Sequence, residues 1–258
     1  MEILTERINN FGSKMLMIKK YNKNKCDIYF PDYNWTGINI STTAFYQGTV
    51  ACPYEPRTLN IGFLGEGPYK TRYEDQKAGG RTIEYNTWIS MIRRCHDLKF
   101  LEREPSYRDC TIYKDWYNYQ NFGYWFTENY YEIPGEKMQL DKDILVKGNK
   151  EYGPDTCCFV PHHINSLFTA RKRERGDLPI GVFETNKGYS GHYSVQCNTM
   201  FDNKKQIKQH GFTTINDAFL AYKEIKEQEI KRVADFYQQY IPQELYNALY
   251  NWEVEIND

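Results

Sequence analysis

Between Leu140 and Asn165 the chain sets carboxylates, carboxamides and imidazoles at short intervals: Asp141-Lys142-Asp143, then Asn149, then His162, His163 and Asn165. Carboxylate and amide oxygens are hard donors that suit a divalent cation such as magnesium or manganese. Such a cation polarises a phosphoryl oxygen and lowers the pKa of its bound water. Asp141 can offer its carboxylate from a strand end, and Asn165 an amide oxygen from a helix further along. Imidazole titrates near neutrality, which makes His162 and His163 candidate bases, with Tyr152 a weaker one. Lys142, with an ordinary pKa of about 10.4, is protonated at neutral pH and binds anions, unless burial or a neighbouring cation lowers that value. The same residues also have a structural reading, in which Asp141 and Asp143 bracket a turn and Asn165 caps or decorates a helix.

Two further clusters carry chemistry. Cys95, Cys110, Cys157 and His96 supply the ligand types of a tetrahedral structural zinc. There is no CxxC pair, however, and the adjacent Cys157 and Cys158 would point to opposite faces of a strand; buried free thiols are the other reading. Arg171, Lys172, Arg173 and Arg175 form the densest basic run. It reads either as a phosphate-contacting arm or as a solvated helix end.

These residues need elements to position them. Segments 14–20, 26–30 and 44–50 alternate and are separated by turn residues, which predicts strands. GFLGEG at 62–67 lacks a following Lys-Ser/Thr and helix, so it reads as turns rather than a phosphate loop. Helical spacing starts near Tyr85 and puts Trp88, Ile89, Ile92 and Cys95 on one face. A second helix is predicted over 115–129. A hairpin follows, with its second strand at 157–160 and a helix starting at Pro161. Three short strands are expected at 180–183, 192–198 and 205–212. One long helix over 215–240 comes next, capped by Thr214 with Asp217 three residues on. Pro242 ends that helix or starts a short last one.

The order strand, loop, strand, helix across 138–168 resembles the ββα-metal core of HNH nucleases. That resemblance implies an Asp–helix pair, Asp141 and Asn165, around one divalent cation, with a strand His as base; here Lys142 stands at the base position. The segments GVF (181–183), HYSVQC (192–197) and GFTTINDAFLAY (211–222) resemble the Apetala-2/integrase-like DNA-binding domain. That family lays a three-stranded sheet in the major groove of double-stranded DNA. At the strands this chain offers Lys187, His192, Tyr193 and Gln196 instead of a set of arginines, which implies contacts mainly to the DNA backbone. Together, residues 85–240 resemble phage-encoded HNH-like proteins.

The expected class is therefore α+β in three parts: a small SH3-like β-barrel over 1–70, an HNH-like core with preceding helices over 81–175, and a three-stranded sheet plus long helix over 179–258. The net charge of −1, from 33 basic and 34 acidic side chains, gives no global nucleic-acid signature, so binding would rest on local patches. The 23 Tyr, 14 Phe and 5 Trp can stack on bases, but they sit mostly at core spacing. No stretch approaches the roughly 20 apolar residues of a membrane span. The polar N-terminus lacks an apolar run of signal length, and the seven cysteines are odd in number. These features predict a cytoplasmic protein, in the host cell if phage-encoded, with reduced thiols and no membrane partner. The function expected is a metal-dependent DNA endonuclease. The alternatives are a catalytically degenerate DNA-binding or inhibitory protein, and a binder of a host protein through the aromatic N-terminal half.

Overall fold

The computed structural model describes residues 2–74, 80–168, 177–185, 192–201 and 206–258. It is a mixture of helix and sheet that separates into two compact units. The first comprises Met1–Asn129 with Lys150–Pro154, and the second Tyr130–Asn149 with Asp155–Asp258.

The first unit begins with an antiparallel meander of β1 (Thr5–Ile8), β2 (Lys14–Lys20), β3 (Lys25–Phe30) and β4 (Trp35–Ser41). The alternation of apolar residues in 14–30 buries Met15, Met17, Cys26, Ile28 and Phe30 in one core. The expected barrel is corrected here: β1 and β4 are the outer strands of an open sheet and do not pair with each other. The predicted strand at 44–50 is also corrected. It begins as a helix, α1 (Thr42–Gln47), because Ser41 accepts from the Ala44 N–H and Gly48 stops it at φ 70°. A cap at one end and a left-handed glycine at the other outweigh the local alternation. Phe45 then covers the sheet.

The rest of this unit is aromatic packing around α2 (Ile83–His96), α3 (Leu98–Arg103) and α4 (Tyr119–Asn129). Thr82 caps α2. Trp88, Met91, Ile92 and Cys95 form its buried stripe, and Trp88 Nε1 donates to the Trp116 carbonyl at 2.7 Å. The helix expected from 115 starts four residues later, after a 3-10 turn over Lys114–Tyr117. A short parallel pair joins β5 (Thr111–Ile112) to β7 (Glu151–Tyr152). The 62–67 tract contains no helix.

The second unit contains the hairpin β6 (Met138–Asp141) and β8 (Cys158–Pro161), paired antiparallel with Asp141 opposite Cys158 and Met138 opposite Pro161. Helix α5 (His162–Leu167) follows without a break. The strands β9 (Val182–Glu184), β10 (Tyr193–Asn198) and β11 (Gln206–Phe212) make a three-stranded antiparallel sheet with β10 in the middle. Two helices end the chain, α6 (Ile215–Tyr237) and α7 (Gln243–Tyr250).

Helix α6 organises this unit. Its 23 residues span about 34 Å at 1.5 Å each. Ala218, Phe219 and Tyr222 pack against Val182, Val195 and Cys197 of the sheet. Ile230, Val233, Ala234 and Tyr237 pack against Val160 and Ile164 of the hairpin and α5. One helix therefore carries both elements. Between the two patches, buried Glu229 accepts from Thr199 Oγ1 at 2.6 Å and from the Met200 N–H at 3.1 Å, tying the end of β10 to α6. Among the described residues no helix is long and apolar enough to cross a membrane.

Candidate functional site

Asp141 ends β6, and its surroundings penalise its charge. It is 9% exposed. Its Oδ1 accepts the N–H groups of Asp143 at 2.9 Å and Ile144 at 2.8 Å, which turns the chain sharply after the strand. Burial, and then the neighbouring Asp143 carboxylate, push its carboxyl up to about 6 against the two backbone donors. The turn expected from the sequence is present, and the Asp141 carboxylate makes it.

Lys142 is also buried. Its Nζ donates to Asp143 Oδ2 at 2.9 Å and to the Asn149 carbonyl at 3.3 Å. Asn149 Nδ2 donates back to the Lys142 carbonyl at 2.6 Å. This reciprocal clamp closes the loop from 142 to 149 and gives the loop asparagine its role. The Asp143 side chain stays 44% exposed, so one carboxylate of the pair faces water while the other is covered.

Asn165 Nδ2 donates to Gln139 Oε1 at 2.8 Å. Gln139 and Asp141 are two residues apart on a strand and share a face. Asn165 therefore lies over the face that carries Asp141, about 7 Å along the strand from it at the level of the backbone. The histidines are placed elsewhere. The His162 N–H pairs with the Lys137 carbonyl at 2.9 Å, and His163 Nδ1 meets Glu136 Oε2 at 3.1 Å. Glu136 also accepts from the Tyr237 hydroxyl at 2.7 Å, and burial together with that carboxylate holds the Tyr237 phenol well above its ordinary range. The His163–Glu136 pair sits beyond the Met138 end of β6. It is thus roughly 10 Å or more along the hairpin from Asp141, whereas a base must lie about 3 Å from the proton it takes.

The same Glu136 lines a small cleft of about 270 Å³ with Ile133, Pro134, Phe236, Tyr237 and Tyr240. That volume falls short of a usual small-molecule site. Tyr152 belongs to the first unit, where burial raises its phenol pKa and Arg94 Nη1 donates to it at 3.3 Å.

The candidate zinc ligands have separate partners. Cys95 Sγ contacts the Thr111 carbonyl at 3.9 Å, and His96 Nε2 meets the Tyr117 hydroxyl at 2.9 Å. Cys110 and Cys157 are buried thiols. Among the described residues no group of three or more His, Cys, Asp or Glu side chains could hold a metal ion.

The β9–β11 sheet presents a second candidate surface. Val182, Val195 and Cys197 face α6, so alternation turns Phe183, Ser194, Gln196 and Asn198 outward. The register adds His210 opposite Ser194, Lys208 opposite Gln196, and Gln206 opposite Asn198. Gln196 is therefore on the outer face, while Tyr193 packs toward α6. His192 is exposed just before β10, its N–H donating to the Phe212 carbonyl at 2.8 Å. Asn198, Gln206 and Lys208 were not legible as partners, because the pairing register joins residues about ten apart in sequence. Arg171, Lys172, Arg173, Arg175 and Lys187 lie outside the described residues.

Comparison with protein-family models, with curated proteins and with solved structures returned no match.

Proposed function

We propose that this chain binds double-stranded DNA through the β9–β11 sheet and cleaves a phosphodiester at the β6–β8 hairpin with a divalent cation held at Asp141. The observation that carries the reading is the carboxylate pair at the end of β6. Asp141 is buried and pushed up to about 6, with the Asp143 carboxylate beside it. Two carboxylates this close, one of them buried, gain from a cation. The oxygens of Asp141 and Asp143, and of the Gln139 and Asn165 amides, are of the hard type magnesium and manganese prefer. A cation there would supply Lewis-acid polarisation and a more acidic water.

The chain's own groups have definite parts in this reading. Asp141 would hold the cation. Asp143, half exposed and fixed by Lys142, accepts the proton of the attacking water. The Lys142 ammonium offers positive charge beside a phosphate oxygen. His163 is assigned to Glu136 and not to the reaction. The ordering of hairpin and helix, and the three-stranded sheet on a long helix, support the resemblance to phage-encoded HNH-like proteins with an Apetala-2-like domain.

Incubating supercoiled plasmid with the protein and magnesium or manganese, against a chelator control, tests the proposal. Metal-dependent nicking is expected. Binding without nicking under any divalent metal would instead support the second reading, a DNA-binding protein without catalysis. That reading is favoured by one observation: Lys142, at the position of the family's base, donates its ammonium hydrogens to Asp143 and to the Asn149 carbonyl.

A further inference from the structure

We infer that the outer face of the β9–β11 sheet selects adenine·thymine base pairs in the major groove through its carboxamide side chains. The inference rests on the duplex-binding reading above and adds the sequence class that this surface takes. Three strands are about 10 Å across, which fits a major groove about 12 Å wide. Successive outward residues on one strand are about 6.7 Å apart, close to two base-pair steps of about 3.4 Å.

Chemistry then decides which bases the face prefers. Among the described residues the outward positions of this sheet carry no carboxylate and no arginine. Gln196 stands opposite Lys208, and Asn198 opposite Gln206. Gln206 Nε2 donates to Asn198 Oδ1 at 3.3 Å. That bond engages one donor and one acceptor, and Asn198 Nδ2 and Gln206 Oε1 are not part of it, on side chains that are exposed. The pair thus presents one donor and one acceptor side by side. Adenine offers the complement in the major groove, its N7 acceptor next to its N6 amino donor. Guanine offers two acceptors, O6 and N7, and would set Gln206 Oε1 against one of them. Gln196 adds a second carboxamide one row away, where Lys208 can reach a phosphate or a guanine edge.

The test is selection from a randomised duplex library by the full chain in chelator, so that no strand is cut. Wild type, Gln196→Arg and the double variant Asn198→Ala/Gln206→Ala are compared, with circular dichroism confirming that each is folded. Wild type is expected to enrich sites with adenine at two positions about two base pairs apart. Gln196→Arg should move the preference at one of them from adenine to guanine. The double variant should lose roughly ten-fold of the discrimination at the other. Enrichment of G·C-rich sites by wild type, or preferences unmoved by both variants, would overturn the inference while leaving duplex binding in place. Absence of any duplex binding by wild type would remove the underlying reading and this inference with it.

Discussion

Asp141 is a residue whose charge the fold opposes. Its unfolded value is the ordinary 3.8 and its folded value is about 6. In that window the native state holds a proton that the unfolded chain has released. Stability therefore falls as pH rises from 3.8 to about 6 and stays lowered above it. The loss is on the order of 3 kcal/mol for a group this buried. An amide at this position keeps an oxygen for the two backbone N–H groups but has no charge to bury. Asp141→Asn is thus expected to be more stable than wild type at pH 7 by about that amount, with the difference fading toward pH 4. Urea melts at both pH values measure it, and equal stability at pH 7 would contradict it. Manganese should raise the melting temperature of wild type and leave Asp141→Asn unmoved.

Lys142 gives a second expectation at this scale. Removing its ammonium takes one donor from the Asn149 carbonyl and one from Asp143, so Lys142→Met should cost roughly 1–3 kcal/mol. Equilibrium unfolding that shows no destabilisation would mean that the clamp contributes nothing. Asp141, Lys142 and Asn149 were singled out in the sequence and lie in one loop, whereas Asn165, expected beside Asp141, bonds Gln139. Glu136 and Gln139 were not singled out, because each acquires its role from a partner more than twenty residues away, His163 or Asn165. Spacing along a chain does not reveal such pairs.

At the scale of elements, α6 joins the sheet to the hairpin. Ile230 is 1% exposed in the core shared with Val160 and Ile164. Ile230→Ala should cost about 2–5 kcal/mol through reduced burial and the cavity left behind. Since the same helix supports the sheet, amides of β10 and of β8 should lose hydrogen-exchange protection together. An effect confined to the hairpin would contradict a shared spine. Apolar spacing sufficed to find β2, β3, α2, α4 and α6, although β2 and β3 also bury Leu16 and Asp27 off the alternating face. It failed at 44–50, where the deciding signals were Ser41 and Gly48 at the ends rather than the apolar pattern inside. Phe236 fits the helical stripe yet is 55% exposed, while Glu229 is buried to hold the Thr199 hydroxyl and the Met200 N–H. Polar tertiary bonds of that kind leave no trace in a hydrophobic pattern.

For the whole molecule, a net charge of −1 means that the proposed DNA binding would rest on local cations, with strong salt dependence. Replacing Arg171, Lys172, Arg173 and Arg175 by Ala should weaken binding about equally across sequences. It should also lower the log–log salt slope by about 0.9 for each phosphate that is no longer neutralised. An unchanged slope in anisotropy titrations would make the run a solvated face. In the open N-terminal sheet β2 and β3 were legible, whereas β1, β4 and the lack of closure were not, since closure depends on whether β1 meets β4. The central claim is a cation-dependent phosphodiesterase centre at Asp141 on a DNA-binding scaffold. The most direct measurement follows nicking of supercoiled plasmid in manganese by wild type and by Asp141→Asn, with duplex affinity recorded for both. Nicking by wild type alone, with both proteins binding DNA comparably, is the predicted result. Equal nicking by the two proteins, or binding by both with no nicking by either, would contradict it.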